Sequence, residues 1–183
     1  MVIIANYRMD FKCRGEVFYA SCETPRCPGC GEKLKYRDQR RRIFRHEGGE
    51  VTWISIRRLY RGNCHRLHNE LPDCLSPYKH YGAEEIEGAV DDIIHAEDED
   101  CGDRPCEQTI ARRKAWILYN LAAIEAYLRS ESGLVSKFGE SSKGLFCEIR
   151  RQCHSAESHW LGIVNQTLYN TGGALTPLRS ADA

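Results

Sequence analysis

The sequence has no long apolar run: nothing in its 183 residues approaches the ~18 consecutive apolar positions of a membrane-spanning helix. The opening MVIIANYRMD turns polar too early for a secretory leader, which needs a basic start and a longer apolar stretch. A cytoplasmic chain with reduced thiols is therefore expected. Net charge is also absent, because 26 Lys and Arg balance 26 Asp and Glu, so no overall polarity points to a partner. There are no low-complexity tracts and no internal repeats. Phosphate-binding glycine loops, dinucleotide fingerprints and nucleophile elbows are missing too, and the chain is expected not to be an enzyme. With 42% hydrophobic and 28% charged residues it is not a disordered chain either.

What charge there is lies segregated. From Glu32 to His68 eleven Lys and Arg face four Asp and Glu, a net of +7. From Glu84 to Glu107 eleven acids face one arginine, a net of −10. Such asymmetry says more about partners than the zero sum does.

Two segments of the basic half read as strands, Leu34–Arg45 and Val51–Tyr60, joined by a turn carrying Gly48-Gly49. A shorter strand is expected at Glu16–Ala20. After HNELPDCLSPYKHYG, whose prolines suggest an irregular connector, the apolar period changes. Ile86, Val90, Ile93 and Ile94 mark a helix over 83–94. Ile110, Ile117, Leu121, Ile124 and Leu128 mark a longer one over 106–130, and a third is expected over 155–169. The expected fold is α+β: an N-terminal β segment and zinc ribbon (1–70), a connector (71–82), a helical module of helix-turn-helix type (83–172) and a loose tail (173–183).

Ten cysteines in a reducing compartment suggest a metal site and buried thiols rather than disulfides. Cys27–Cys30 reads CPGC, a tight turn that aims two sulfurs at one ion. Zinc wants four N or S ligands in a tetrahedron. The second half of the site is less regular: RGNCHRLH offers Cys64, with Arg61 where a paired thiol would complete C-x-x-C. The expected structural zinc ligands are Cys27, Cys30, Cys64 and His68, with His65 and Cys22 as alternates. The competing reading is a metal-free turn with two thiols.

Arginine dominates the basic hairpin, and its planar fork suits phosphates and guanine edges better than an ammonium does. DNA contact is expected from Arg37, Arg40, Arg41, Arg42, Arg45, Arg57 and Arg58. The opening of the long helix, CEQTIARRK, would present Glu107, Gln108, Arg112 and Arg113 as base readers. Tyr36, Phe44 and Trp53 either stack on bases or fill a thin core. An adaptor that meets a protein partner through the acidic loop 97–103 is the alternative. A nuclease relying on Asp91, Asp92, Asp98 and Asp100 is a third possibility, although solvated acids account for these residues more simply.

The stretch CPGCGEKLKYRDQRRRIFRHEGGEVTWISIRRLY, continuing into CHRLHNELPDCLSPYKHY, resembles an uncharacterised bacterial domain-of-unknown-function family encoded beside or within transposon-like elements. The motifs GGE, RRL, LHNELPD, PYKHY and CEQT carry the resemblance over about residues 25–130. It implies a zinc ribbon joined to a helix-turn-helix, and DNA binding linked to a mobile element, as regulator or accessory to transposition. The chain departs from that pattern at Arg61, where a cysteine is usual, and at Arg113, where a tryptophan is.

Overall fold

The expected basic hairpin is the longest strand pair in the computed structural model, which describes residues 1–11, 15–46, 50–62, 64–94, 105–131 and 160–178. In chain order the elements are β1 (Val2–Ile4), β2 (Tyr7–Phe11), β3 (Val17–Ser21), β4 (Lys35–Arg45), β5 (Val51–Arg61) and β6 (Arg66–Pro72), then α1 (Ala83–Val90), α2 (Glu107–Glu131) and α3 (Trp160–Asn170). β4 and β5 pair antiparallel from Lys35↔Tyr60 to Arg45↔Val51, with a register shift between Tyr36 and Asp38.

β5 organises the sheet because its second edge is shared. Residues 54–56 pair in parallel with β3, while residues 58–61 pair antiparallel with β6. β2 extends the sheet beyond β3, and β1 lies parallel to β6 through Val2↔Glu70, Ile3↔Leu71 and Ile4↔Pro72. The segment expected to be an irregular connector thus begins as a strand, which ends at Pro72.

Alternation along these strands sorts side chains to two faces. Ile3, Val17, Ile54, Ile56 and Leu71 face Ile117, Ile124, Trp160, Leu161 and Val164, so sheet and helices share one core. A second, much smaller cluster holds Val2, Ile4, Cys27, Leu34 and Leu59. The expected stripe of α2 holds at Ile117 and Ile124, which are buried, and at the half-buried Ile110 and Leu121. Asn170 ties α3 to β1: its carboxamide accepts from the Ile3 N–H at 2.9 Å and donates to the Ile3 carbonyl at 2.8 Å, completing the strand's free edge.

Two boundaries differ from expectation. α1 ends at Val90 rather than Ile94, because Asp92 adopts a left-handed φ of 56° and the Ile93 and Ile94 amides both return to the Gly88 carbonyl. Ile93 is consequently exposed. Residues 173–178, expected in a loose tail, pack on α2. Leu175 is buried, and Asn120 both donates to the Thr176 carbonyl at 3.0 Å and accepts from its N–H at 2.7 Å. The coarse expectation of an α+β chain is met by a curled sheet with, among the described residues, three helices.

Candidate metal centre and basic face

The CPGC turn is built from backbone hydrogen bonds that converge on its first cysteine. The Cys30 and Gly31 amides donate to the Cys27 carbonyl at 3.3 and 2.8 Å, and the Cys27 amide donates to Glu32 at 2.8 Å. Gly31 takes φ +71°, a conformation that costs a glycine nothing. Opposite the turn, β5 and β6 close a short hairpin whose bend carries Cys64, and His68 follows on β6 opposite Leu59.

These two bends meet. Cys27, Cys30 and Cys64 place their sulfurs within 4.8 Å of one another, with Cys27–Cys64 at 3.8 Å and Cys30–Cys64 at 3.9 Å. A tetrahedral ion with bonds of about 2.3 Å to sulfur sets neighbouring sulfurs about 3.8 Å apart. The same geometry, with about 2.05 Å to nitrogen, separates sulfur from nitrogen by about 3.6 Å. The Nε2 of His68 lies 3.5 Å from the Cys27 Sγ. Three thiols therefore form a set that could hold a metal ion, whereas the expected fourth ligand, His68, reaches only Cys27 and stands outside that set, its Nδ1 accepting from the Met1 ammonium at 3.1 Å. The alternates do not join: Cys22 is exposed, and His65 turns its Nδ1 to the Tyr60 hydroxyl at 3.1 Å.

Burial opposes ionisation of Cys27, yet hydrogen bonds from the Gly29 and Cys30 amides outweigh it and hold the thiol below its usual value. Cys64 is pushed up, by burial first and by its neighbouring thiols after that. Burial, then the Met1 ammonium, lowers His68, which favours the neutral ring a metal requires. Arg66 lies across the turn so closely that a Cβ at Gly29 would stand 2.5 Å from its Nη1. Arg61, the residue in place of a fourth thiol, pairs with Glu32 at 3.2 Å.

Several of the expected DNA-contacting arginines are occupied inside the protein. Arg57 makes a two-pronged contact with the fully buried Glu70, at 2.5 and 2.7 Å, and Glu70 also accepts from the Ser21 amide at 3.3 Å. Arg58 pairs in the same way with Asp38. Arg42 donates to the Ser76 carbonyl at 2.7 Å and also to that of Lys79. Arg45 lies over Tyr81, 6.0 Å from the ring centroid. Arg113, expected to read bases, is turned into the protein at 5% exposure. It donates to the Glu85 carbonyl at 3.0 Å and packs over Tyr81.

Arg37, Arg40, Arg41, Gln108 and Arg112 remain exposed. Arg37 and Arg41 have acidic neighbours, Asp38 at 3.6 Å and Glu16 at 3.5 Å, and Arg41 also stacks 4.6 Å from the Trp53 ring centroid. Nothing in the residue types separates occupied from free arginines. Alternation on β5 and β6 does pair Arg57 with the same face as Glu70, and that signal was readable only with the β5–β6 register in hand. Of the acids considered for a nuclease, Asp91 accepts from the Trp160 indole at 3.4 Å and Asp92 pairs with Lys114. Asp98 and Asp100, and with them the acidic loop 97–103, lie outside the described residues. No described helix is long and apolar enough to cross a membrane.

Residues 27–113 match the model of a domain of unknown function, DUF6431, an uncharacterised family. The match opens on the first thiol of the cluster and closes on the buried Arg113. No curated protein and no solved structure matches the chain.

Proposed function

We propose that this protein is a zinc-stapled DNA-binding protein, serving a mobile element as a regulator or accessory to transposition. Cys27, Cys30 and Cys64 would hold the ion with His68 as fourth ligand. The ion would fix the CPGC turn to the β5–β6 bend, a structural task. DNA would then meet the arginines of β4 that the fold leaves outside, Arg37, Arg40 and Arg41, supported by Gln108 and Arg112 at the start of α2. Mobile DNA enters through the motifs LHNELPD, PYKHY and CEQT; a zinc ribbon with a helix-turn-helix is the finer form of the fold in this reading.

One observation carries it: the structure neutralises Arg57, Arg58, Arg61 and Arg113 internally and yet leaves three arginines exposed along a single strand. Arg40 has no carboxylate partner among the described residues. Charged edge strands also discourage sheet-to-sheet aggregation, and that role needs no nucleic acid. Salt separates the two. Affinity for a labelled duplex, read by fluorescence anisotropy, should fall linearly on logarithmic axes as salt rises, with a slope near −0.9 per phosphate neutralised. The Arg40→Ala, Arg41→Ala variant should flatten that slope by about two. Salt-independent binding, or a slope unchanged in the variant, overturns the DNA role and favours the protein adaptor.

A further inference from the structure

Beside the exposed arginines of β4 lies a cleft of about 390 Å³, a volume within the usual range of small-ligand pockets. Its walls are β4, β5, Asn69 of β6, Met1 and the loop residues 78–80, and its lining sets the guanidinium groups of Arg40 and Arg41 near the rings of Trp53 and Tyr78. Trp53 keeps 44% of its surface exposed although Arg41 covers part of its ring. Tyr78 is 74% exposed and holds φ at +61°, a left-handed conformation that bulky residues rarely accept.

The loop bearing Tyr78 is firmly docked. Arg42 clamps two of its carbonyls, and the Arg45 amide donates to the His80 carbonyl at 2.8 Å. Lys79 is pinned as well, its ammonium 4.6 Å from the Trp116 ring centroid. So an uncommon backbone conformation is enforced, and it leaves an aromatic ring facing solvent beside Arg40, which has no carboxylate partner among the described residues, and Arg41, whose partner Glu16 stands at 3.5 Å. Two exposed aromatic rings find no free base face on an intact duplex, whose bases are already stacked on one another and must be unstacked at a cost of a few kcal/mol. They suit an unstacked base, whose π-face is free and whose phosphate brings the negative charge.

We infer that this cleft receives an unpaired nucleotide of single-stranded DNA, with the base against Trp53 and Tyr78 and the backbone phosphate against Arg40 and Arg41. The inference rests on the DNA-binding reading and narrows its substrate to a strand that is melted, frayed or displaced.

The test uses the whole 183-residue chain, purified with zinc supplied, and two fluorescein-labelled probes, a 20-nucleotide oligothymidylate and a mixed-sequence duplex of equal length. Trp53 is the exposed tryptophan of three, since Trp116 and Trp160 are buried, so the part of the emission that a stacked base quenches by contact is that of Trp53, and Trp53→Ala should abolish the quenching. Oligothymidylate should quench that emission and bind more tightly than the duplex. Trp53→Ala, and Tyr78→Gly, which removes the ring while suiting the backbone, should each weaken oligothymidylate binding roughly 5- to 140-fold, as loss of one stacked base implies. Unquenched binding of oligothymidylate that neither substitution weakens overturns the cleft assignment; salt-dependent duplex binding by the unsubstituted protein would still uphold the broader reading. Failure of both probes at low salt overturns both.

Discussion

Metal removal should loosen one corner of this protein and spare the rest. The small cluster beside the thiols offers four apolar side chains, Val2, Ile4, Leu34 and Leu59. At about 2 kcal/mol each, their burial contributes about 8 kcal/mol. Ordering the thirteen residues 22–34 costs about 20 kcal/mol at about 1.5 kcal/mol per residue. A structural zinc ion supplies on the order of 10–16 kcal/mol near neutral pH, which brings the balance close to zero or slightly favourable. Without it the segment has too little apolar surface to stay in place, whereas the shared core of sheet and helices loses nothing. Hydrogen exchange measured by mass spectrometry, before and after chelation, addresses this directly. Amides of Cys27, Gly31 and Leu34, all hydrogen-bonded within the turn, should exchange at least about 100-fold faster in stripped protein. Peptides from β5 residues 54–56 and from α2 around Ile117 should hardly change. Cys64→Ser should reproduce the effect and lose about one equivalent of zinc by elemental analysis. Full protection of those three amides in protein holding no metal would refute the reasoning, because the turn would then be stable on side-chain packing alone.

Three further outcomes are expected. Arg57→Ala should destabilise by about 3 kcal/mol in urea titrations, because it strands the fully buried Glu70 carboxylate, and the double Arg57→Met, Glu70→Met variant should cost less than that single change. Iodoacetamide near pH 7.5 should modify Cys106 well before Cys74: Thr109 and nearby amides at the start of α2 lower the first, while burial pushes the second up to about 11. Stability should fall as pH rises above 9, since the folded chain keeps the Cys74 proton until about pH 11 whereas the unfolded chain releases it near 9.0. That group alone is worth about 2–3 kcal/mol across the window, and Tyr19 and Tyr169, both held up to about 12 by burial, extend the loss; thermal melts from pH 8 to 11 would show it, and a flat profile would rule it out.

Local periodicity carried the elements that are long and self-contained. The hairpin of β4 and β5 was legible because two strand-like runs flank the Gly48-Gly49 pair, which itself lies outside the described residues, and α2 because its apolar residues recur at helical spacing. The CPGC turn and Cys64 were legible as partners because metal chemistry constrains residue type tightly. α1 was read four residues too long, as its sequence hides the left-handed Asp92 that ends it. β6 was missed because LHNELP mixes polar, acidic and proline residues. It becomes a strand only through β5 on one side and β1 on the other, and β1 lies 68 residues away at Val2↔Glu70.

The sequence by itself therefore determined which residues can bind a metal, where charge accumulates and which segments favour strand or helix, since these depend on residue type and near neighbours. Tertiary structure alone decided which charges are spent and which are available. Arg57 and Arg40 belong to the same basic hairpin and have the same chemistry, but one faces a buried carboxylate across β6 and the other faces solvent. Coulomb attraction and burial act through distance, and distance between residues remote in sequence exists only once the chain has folded.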